Sequence, residues 1–257
     1  MSMNRSDDAP GNQIRILPGQ WRPQYVWEQI AWIQPPWSKG YVWLDFPEAI
    51  FADNGLLYLS HNNPKYTPLF PDLPHVEWQR DEDGMRFERT LPNGVAFGGA
   101  LKSAAPSRVA MELFIRNDSP LSLRQIRIQT CLFLRPAPEF ADETLQNKLV
   151  HVKDRGWISL DKAMLLPDGG GTYRLGWRGG PAVADRPIVV TISREAERLI
   201  AMTWDAQTHA LIGNPRHPCM HADPAVNDLA PGKECLLRGD IIFFTGSLNQ
   251  FDLYARK

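Results

Sequence analysis

Two stretches of strict apolar–polar alternation constrain this chain more than anything else in it. From Val109 to Ile115, the side chains of Val109, Met111, Leu113 and Ile115 fall on one face of an extended strand and those of Ala110, Glu112 and Phe114 on the other. From Ile126 to Leu134 the same split puts Ile126, Ile128, Thr130, Leu132 and Leu134 on one face. Arg127, Gln129, Cys131 and Phe133 take the opposite one. A period of two held this long builds strands with one face in a core, and a helix of period 3.6 cannot use it. Between the stretches, Asn117-Asp118-Ser119-Pro120 has the short polar side chains and the proline that bend a backbone. The pattern predicts a hairpin, with Arg127 and Gln129 on its polar face as candidate ligand contacts.

The rest of the chain repeats this vocabulary. Tyr41 to Phe46 reads as a short aromatic strand followed by Pro47, and Gly55 to Ser60 as an apolar strand that delivers His61 at its end. Asp83-Gly84 marks a turn between 76–79 and 85–91. Residues 188–192 and 199–204 read as paired strands, and Ser247 as the cap of a short terminal helix. Roughly a dozen strands with few, short helices give an all-β class. The economical architecture is one large antiparallel β-sandwich over residues 14–257, behind a polar, disordered tail at 1–13. Nine tryptophans suit such a chain, because half-buried sheet surfaces take large flat side chains.

Several function classes drop out. The net charge of −1 and the lack of any lysine–arginine stripe exclude a nucleic-acid partner. No apolar run is long enough to span a membrane, and the polar N-terminus offers no signal peptide. Three unpaired-looking cysteines, Cys131, Cys219 and Cys235, then fit free thiols in the cytoplasm. Phosphate loops, dinucleotide fingerprints, the Gly-x-Ser-x-Gly elbow and the His-Glu-x-x-His zinc helix are all missing. The sequence leaves oligomeric state open.

What remains is Asn214 to Asp228, where His217, Cys219, His221 and Asp223 alternate among three prolines. The prolines predict a stiff, irregular connection rather than a helix or a regular strand. His221 oriented by Asp223 is a candidate acid or base, bordering one pocket with His61, Arg127 and Gln129. Asn147, Lys148 and His151 are further candidate ligand contacts. No cofactor is required by this set. A divalent metal is the competing reading, and His217, Cys219 and His221 would then be its ligands. A histidine that merely satisfies loop backbone stays open beside both.

The strand Met111-Glu112-Leu113-Phe114-Ile115-Arg116-Asn117, the strand 126–134, and Leu229-Ala230-Pro231-Gly232-Lys233-Glu234 before Gly239-Asp240-Ile241-Ile242-Phe243 resemble the galactose-mutarotase-like β-supersandwich proteins. The His-Ala-Asp-Pro run at 221–224 is similar to that of bacterial proteins with related C-terminal halves. The resemblance covers roughly residues 85–245. It implies a concave sheet that faces a small-molecule carbohydrate, in a protein of epimerase, lyase or hydrolase type or in a non-catalytic carbohydrate-binding module. The family's acid–base pair of a histidine and a late glutamate has no obvious counterpart, since Glu234 falls in a turn.

Overall fold

The computed structural model describes residues 13–177 and 179–255. The expected tail at 1–13 lies outside them except for Gln13. In chain order the strands begin with β1 (Arg15–Gly19), β2 (Ile30–Gln34), β3 (Val42–Ala52), β4 (Gly55–Leu59), β5 (Gln79–Arg80), β6 (Gly84–Thr90), β7 (Val95–Ala105), β8 (Arg108–Asn117) and β9 (Ile126–Phe133). They continue with β10 (Lys148–Val152), β11 (Gly156–Ser159), β12 (Tyr173–Leu175), β13 (Ala182–Ile192), β14 (Arg198–Thr203), β15 (Thr208–Asn214), β16 (His217–Val226) and β17 (Lys233–Thr245). Helix is confined to short pieces such as α1 (Leu160–Ala163) and α2 (Leu248–Tyr254). The fold is a large, almost wholly antiparallel β-sandwich. No helix among the described residues is long and apolar enough to cross a membrane.

One layer runs β1–β2–β3–β9–β16–β15, with β4 also paired to β3. The other runs β6–β7–β8–β17–β14–β13–β10. Short β12 joins them, antiparallel to β13 and parallel to β15. The core between the layers takes Leu44, Phe46, Leu132, Met220 and Ala222 from the first, and Val109, Met111, Leu113, Ile200, Met202 and Ile241 from the second. Each of these side chains larger than Ala222 contributes about 1.5–3 kcal/mol by leaving water.

The two alternating stretches are strands, and their apolar faces point inward as expected. They are not hairpin partners. β8 pairs with β7 and β17, while β9 pairs with β3 and β16 in the opposite layer. Asn117 explains the departure: its Nδ2 donates to the carbonyls of Leu121 and Leu229, both at 2.8 Å, so the turn hands the chain across the sandwich. The terminal helix is capped as predicted, with Ser247 Oγ accepting from the Gln250 amide.

The proline-rich stretch also departs from expectation. Residues 217–226 form the continuous strand β16, inside the sheet between β15 and β9. A proline in a central strand forfeits a ladder hydrogen bond, so it must sit where the ladder is already irregular. Pro224 pairs with Thr208 at the shift in the β15–β16 register. Pro47 likewise does not end its strand. It lies within β3 at a bulge, where Phe46, Pro47 and Glu48 oppose the single residue Thr130 of β9.

Candidate functional site

On an extended strand, alternate residues share a face. Because β16 stays extended between its two register shifts, Cys219, His221 and Asp223 lie on one face while Met220 and Ala222 enter the core. The antiparallel registers carry that face across three strands. Cys219 stands beside Phe133 and Phe133 beside Trp43, and in the next row Cys131 stands beside Asp45. The β9–β16 ladder opens opposite this row. There the Asp223 carboxylate accepts the Thr130 amide at 3.0 Å, a place where a backbone carbonyl would normally serve.

Glu48, lifted by the β3 bulge, occupies the middle. Its Oε2 lies 3.9 Å from His221 Nδ1, and its Oε1 lies 3.9 Å from His61 Nε2. His221 Nδ1 is 3.7 Å from Asp223 Oδ1, and its Nε2 is 3.4 Å from Cys219 Sγ. The structure therefore brings His61, His221 and Asp223 together, as the sequence suggested, through a carboxylate that the sequence reading did not single out. Among the described residues, Glu48 Oε2, His221 Nδ1 and Asp45 Oδ1 are buried atoms without a hydrogen-bond partner. Burial costs such groups free energy unless something pairs with them.

A second acidic layer supports the first. Arg22, in the β1–β2 connection, donates from Nε to Glu28 at 2.9 Å and from Nη2 to Asp45. Ser60 Oγ donates to Asp45 at 2.7 Å and contacts His61 Nδ1 at 3.1 Å. Aromatic rings frame the cluster. Trp21 stacks on Phe133 at 4.5 Å, His217 stacks on the same ring at 4.6 Å, and Trp43 meets Trp21 edge-on. Trp177, 46 % exposed, stands edge-on to the His221 ring at 4.9 Å. It is carried by the tight turn after β12, where a Cβ on Gly180 would lie 1.3 Å from the Leu175 carbonyl oxygen.

Charge inside this site is set by burial first. Burial pushes the Glu48 carboxyl up to about 8 against the pull of His221, and the Asp45 carboxyl up to about 6 against the pull of Arg22. The hydrogen bond from Cys131 brings the Cys219 thiol well below the usual cysteine range and raises Cys131. Burial opposes a charge on His221, yet Cys219 and Asp223 outweigh it and raise the imidazole. Burial, helped by Arg22 and His217, lowers His61 to about 4. A depressed histidine contributes stability that is complete above its unfolded value of 6.5 and is lost as pH falls through about 4. Replacing His61 by asparagine is expected to flatten the fall in melting temperature between pH 6.5 and 4. Parallel wild-type and variant curves would exclude His61 as its source.

The remaining candidates separate. Gln129 and Arg127 share the Cys131 face of β9, the first buried and the second exposed. Lys148 is fully buried, with Nζ donating to the Thr144 carbonyl at 2.8 Å and to Asn147 Oδ1 at 3.2 Å. Its stem crosses Gly213, where a Cβ would meet Lys148 Cδ at 2.5 Å. His151 belongs to a different cluster, bound to Asp185 at 2.6 Å and edge-on to Trp157. His217 packs in the Trp21–Phe133 stack, and the groups with metal-ligand spacing among the described residues are instead Cys131, Cys219 and His221, and Asp45, Glu48 and His61. All three cysteines are free. Glu48, Asp45, Arg22 and Cys131 are the residues that sequence reasoning did not place here. The available signal was an acidic pair inside the otherwise apolar run Leu44-Asp45-Phe46-Pro47-Glu48.

No family model and no curated protein matches the chain. Solved structures do. The galactose mutarotase related enzyme from Lactobacillus acidophilus is 8 % identical, with 85 % of this chain and 96 % of that chain covered at a TM-score of 0.47. The Slr1438 protein from Synechocystis sp. PCC 6803 is 12 % identical, with 80 % and 79 % covered at 0.42. The GalM/aldose epimerase homologue from C. elegans is 11 % identical, with 78 % and 79 % covered at 0.39. Two of the three bear the mutarotase and aldose-epimerase names of the group the sequence resembles. At such identities the likeness concerns the fold, and what the chain does has to come from its own side chains.

Proposed function

We propose that this chain is a carbohydrate-processing protein that holds a sugar over Glu48, His221 and His61 and acts on it by proton transfer, as an epimerase does. The observation that carries this reading is the facing pair Glu48 Oε2 and His221 Nδ1, 3.9 Å apart, buried and unpartnered among the described residues. That spacing is too long for a direct hydrogen bond and suits a hydroxyl or ring oxygen lodged between them. His61 Nε2 on the other side of Glu48 supplies a third polar contact. Trp21, Trp43 and Trp177 supply the flat apolar surfaces that the C–H face of a pyranose covers well.

A panel of pure anomers of glucose, galactose, mannose and xylose, followed by polarimetry, tests the reading. The protein is expected to accelerate interconversion of at least one of them. Glu48→Gln keeps the shape of the side chain and is expected to lower kcat by about 10²–10⁴-fold, the range of a lost acid–base group, with a smaller change in KM. Acceleration that survives Glu48→Gln unchanged would remove Glu48 from the chemistry. Sugar binding without acceleration would make the chain a binding module, and neither binding nor acceleration would end the carbohydrate reading.

A further inference from the structure

We propose that Cys131, Cys219 and His221 form a binding site for a thiophilic divalent metal ion, zinc above all. One ligand atom from each of the three lies within 4.8 Å of the others, and all three residues are buried. The sheet makes the group. Cys219 and His221 share a face of β16, and Cys131 arrives on that face from β9, next but one to the Phe133 that pairs with Cys219.

The spacing fits the ion. Zinc–sulfur bonds of about 2.3 Å and zinc–nitrogen bonds of about 2.0–2.1 Å imply ligand-to-ligand edges of roughly 3.5–3.8 Å in a tetrahedron. Cys219 Sγ and His221 Nε2 are 3.4 Å apart, near that edge before any ion draws them in. The far side of the ring fits as well. A metal-bound histidine gives its other N–H to a carboxylate, and here Nδ1 faces Asp223 Oδ1 and Glu48 Oε2 at 3.7 Å and 3.9 Å, beyond hydrogen-bond length, so a small turn of the ring would have to close one of these gaps when the ion binds.

Charge balance favours the same ion. Binding would release two protons to solvent, one from the Cys131 thiol and one from the Cys219–His221 pair, forming two zinc–sulfur bonds and one bond to the neutral imidazole nitrogen. A dication with two thiolates is neutral overall, so the buried group carries no net charge into the protein. Three protein ligands leave one coordination position for water or a ligand oxygen, the arrangement of reactive rather than purely structural zinc sites. Soft thiolate donors select zinc over magnesium or calcium.

The inference stands apart from the carbohydrate reading, because metal is measured here without any sugar. Full-length protein purified from zinc-supplemented culture without chelator is expected to hold about one zinc per chain by mass spectrometry. Cobalt(II) replacing the zinc is expected to give an ultraviolet thiolate-to-cobalt charge-transfer band. Cys131→Ser and Cys219→Ser should each reduce zinc to background and abolish that band. Cys235→Ser, at a thiol outside the group, should keep both. If either cluster variant fails to fold, the wild-type cobalt spectrum decides alone. Wild-type protein with neither stoichiometric zinc nor a thiolate band overturns the site, and so does a band that persists after both cysteine changes.

Discussion

Replacing Arg22 by alanine is expected to destabilise the protein by about 3–5 kcal/mol, the cost of stripping one partner from a buried ion pair. Its side chain is 15 % exposed, that of Glu28 3 % and that of Asp45 0 %. Glu28 would keep the amides of Trp21 and Arg22, at 2.6 and 2.7 Å. Asp45 would keep only Ser60 Oγ, with its Oδ1 already unpartnered. The isolated carboxylate then escapes by taking up a proton. Asp45 is raised by burial to about 6 even with Arg22 present, so without that cation it rises further. A raised acid contributes stability below its unfolded value near 3.8 that is lost as pH climbs through its folded value. The deficit of Arg22→Ala should therefore be smaller at pH 4 than at pH 7.5. Asp45→Asn in the same chain should recover part of it. Urea unfolding of the two single variants and the double variant measures both effects. A loss under about 1 kcal/mol at pH 7.5 would mean that water, not protein, already serves these groups.

Much of the fold was legible because side-chain periodicity records which face of a strand is buried. Val109, Met111, Leu113 and Ile115 all enter the core, as do Ile126, Ile128, Leu132 and Leu134. Periodicity does not record the partner strand. A hairpin between β8 and β9 would satisfy the same alternation as the pairing that forms, since either arrangement keeps one face apolar. What decides is the Asn117 turn, whose bond to Leu229 depends on a segment more than a hundred residues away. Proline misled for a related reason. The rule that it breaks a ladder is right, but Pro47 and Pro224 sit where bulges and register shifts have already interrupted pairing.

The site was legible only where its residues are neighbours in sequence. Cys219, His221 and Asp223 stood out by alternation, and His61 by closing a strand. Glu48 and Cys131 reach the same spot through the β3–β9–β16 registers, which the local pattern cannot supply. Asn147, Lys148 and His151 drew attention by type alone. His151 turned out to pair with Asp185.

Beneath the site lies the side chain whose loss should cost as much as that of Arg22. Trp204 is wholly buried, stacks on Phe46 at 6.1 Å, and donates from Nε1 to Thr130 Oγ1 at 3.2 Å. Thr130 Oγ1 in turn donates to the Ala222 carbonyl at 3.1 Å, which ties β9 to β16 where their backbone ladder is open. The tryptophan thus fills the core and holds the floor under His221 and Asp223 together. Trp204→Ala is expected to cost about 3–5 kcal/mol through the cavity it leaves. At roughly 2–4 °C per kcal/mol for a chain of this size, the melting temperature should fall by about 6–20 °C. Trp204→Phe keeps most of the ring contact and loses the Nε1 bond, so it should cost less, about 1–3 kcal/mol. Hydrogen exchange separates packing from the tether. The Thr130 amide, held by Asp223 at 3.0 Å, should exchange faster in Trp204→Phe than that variant's global destabilisation alone accounts for. If its protection falls only in step with global stability, Trp204 acts as core filler and the β9–β16 opening is held by Asp223 alone.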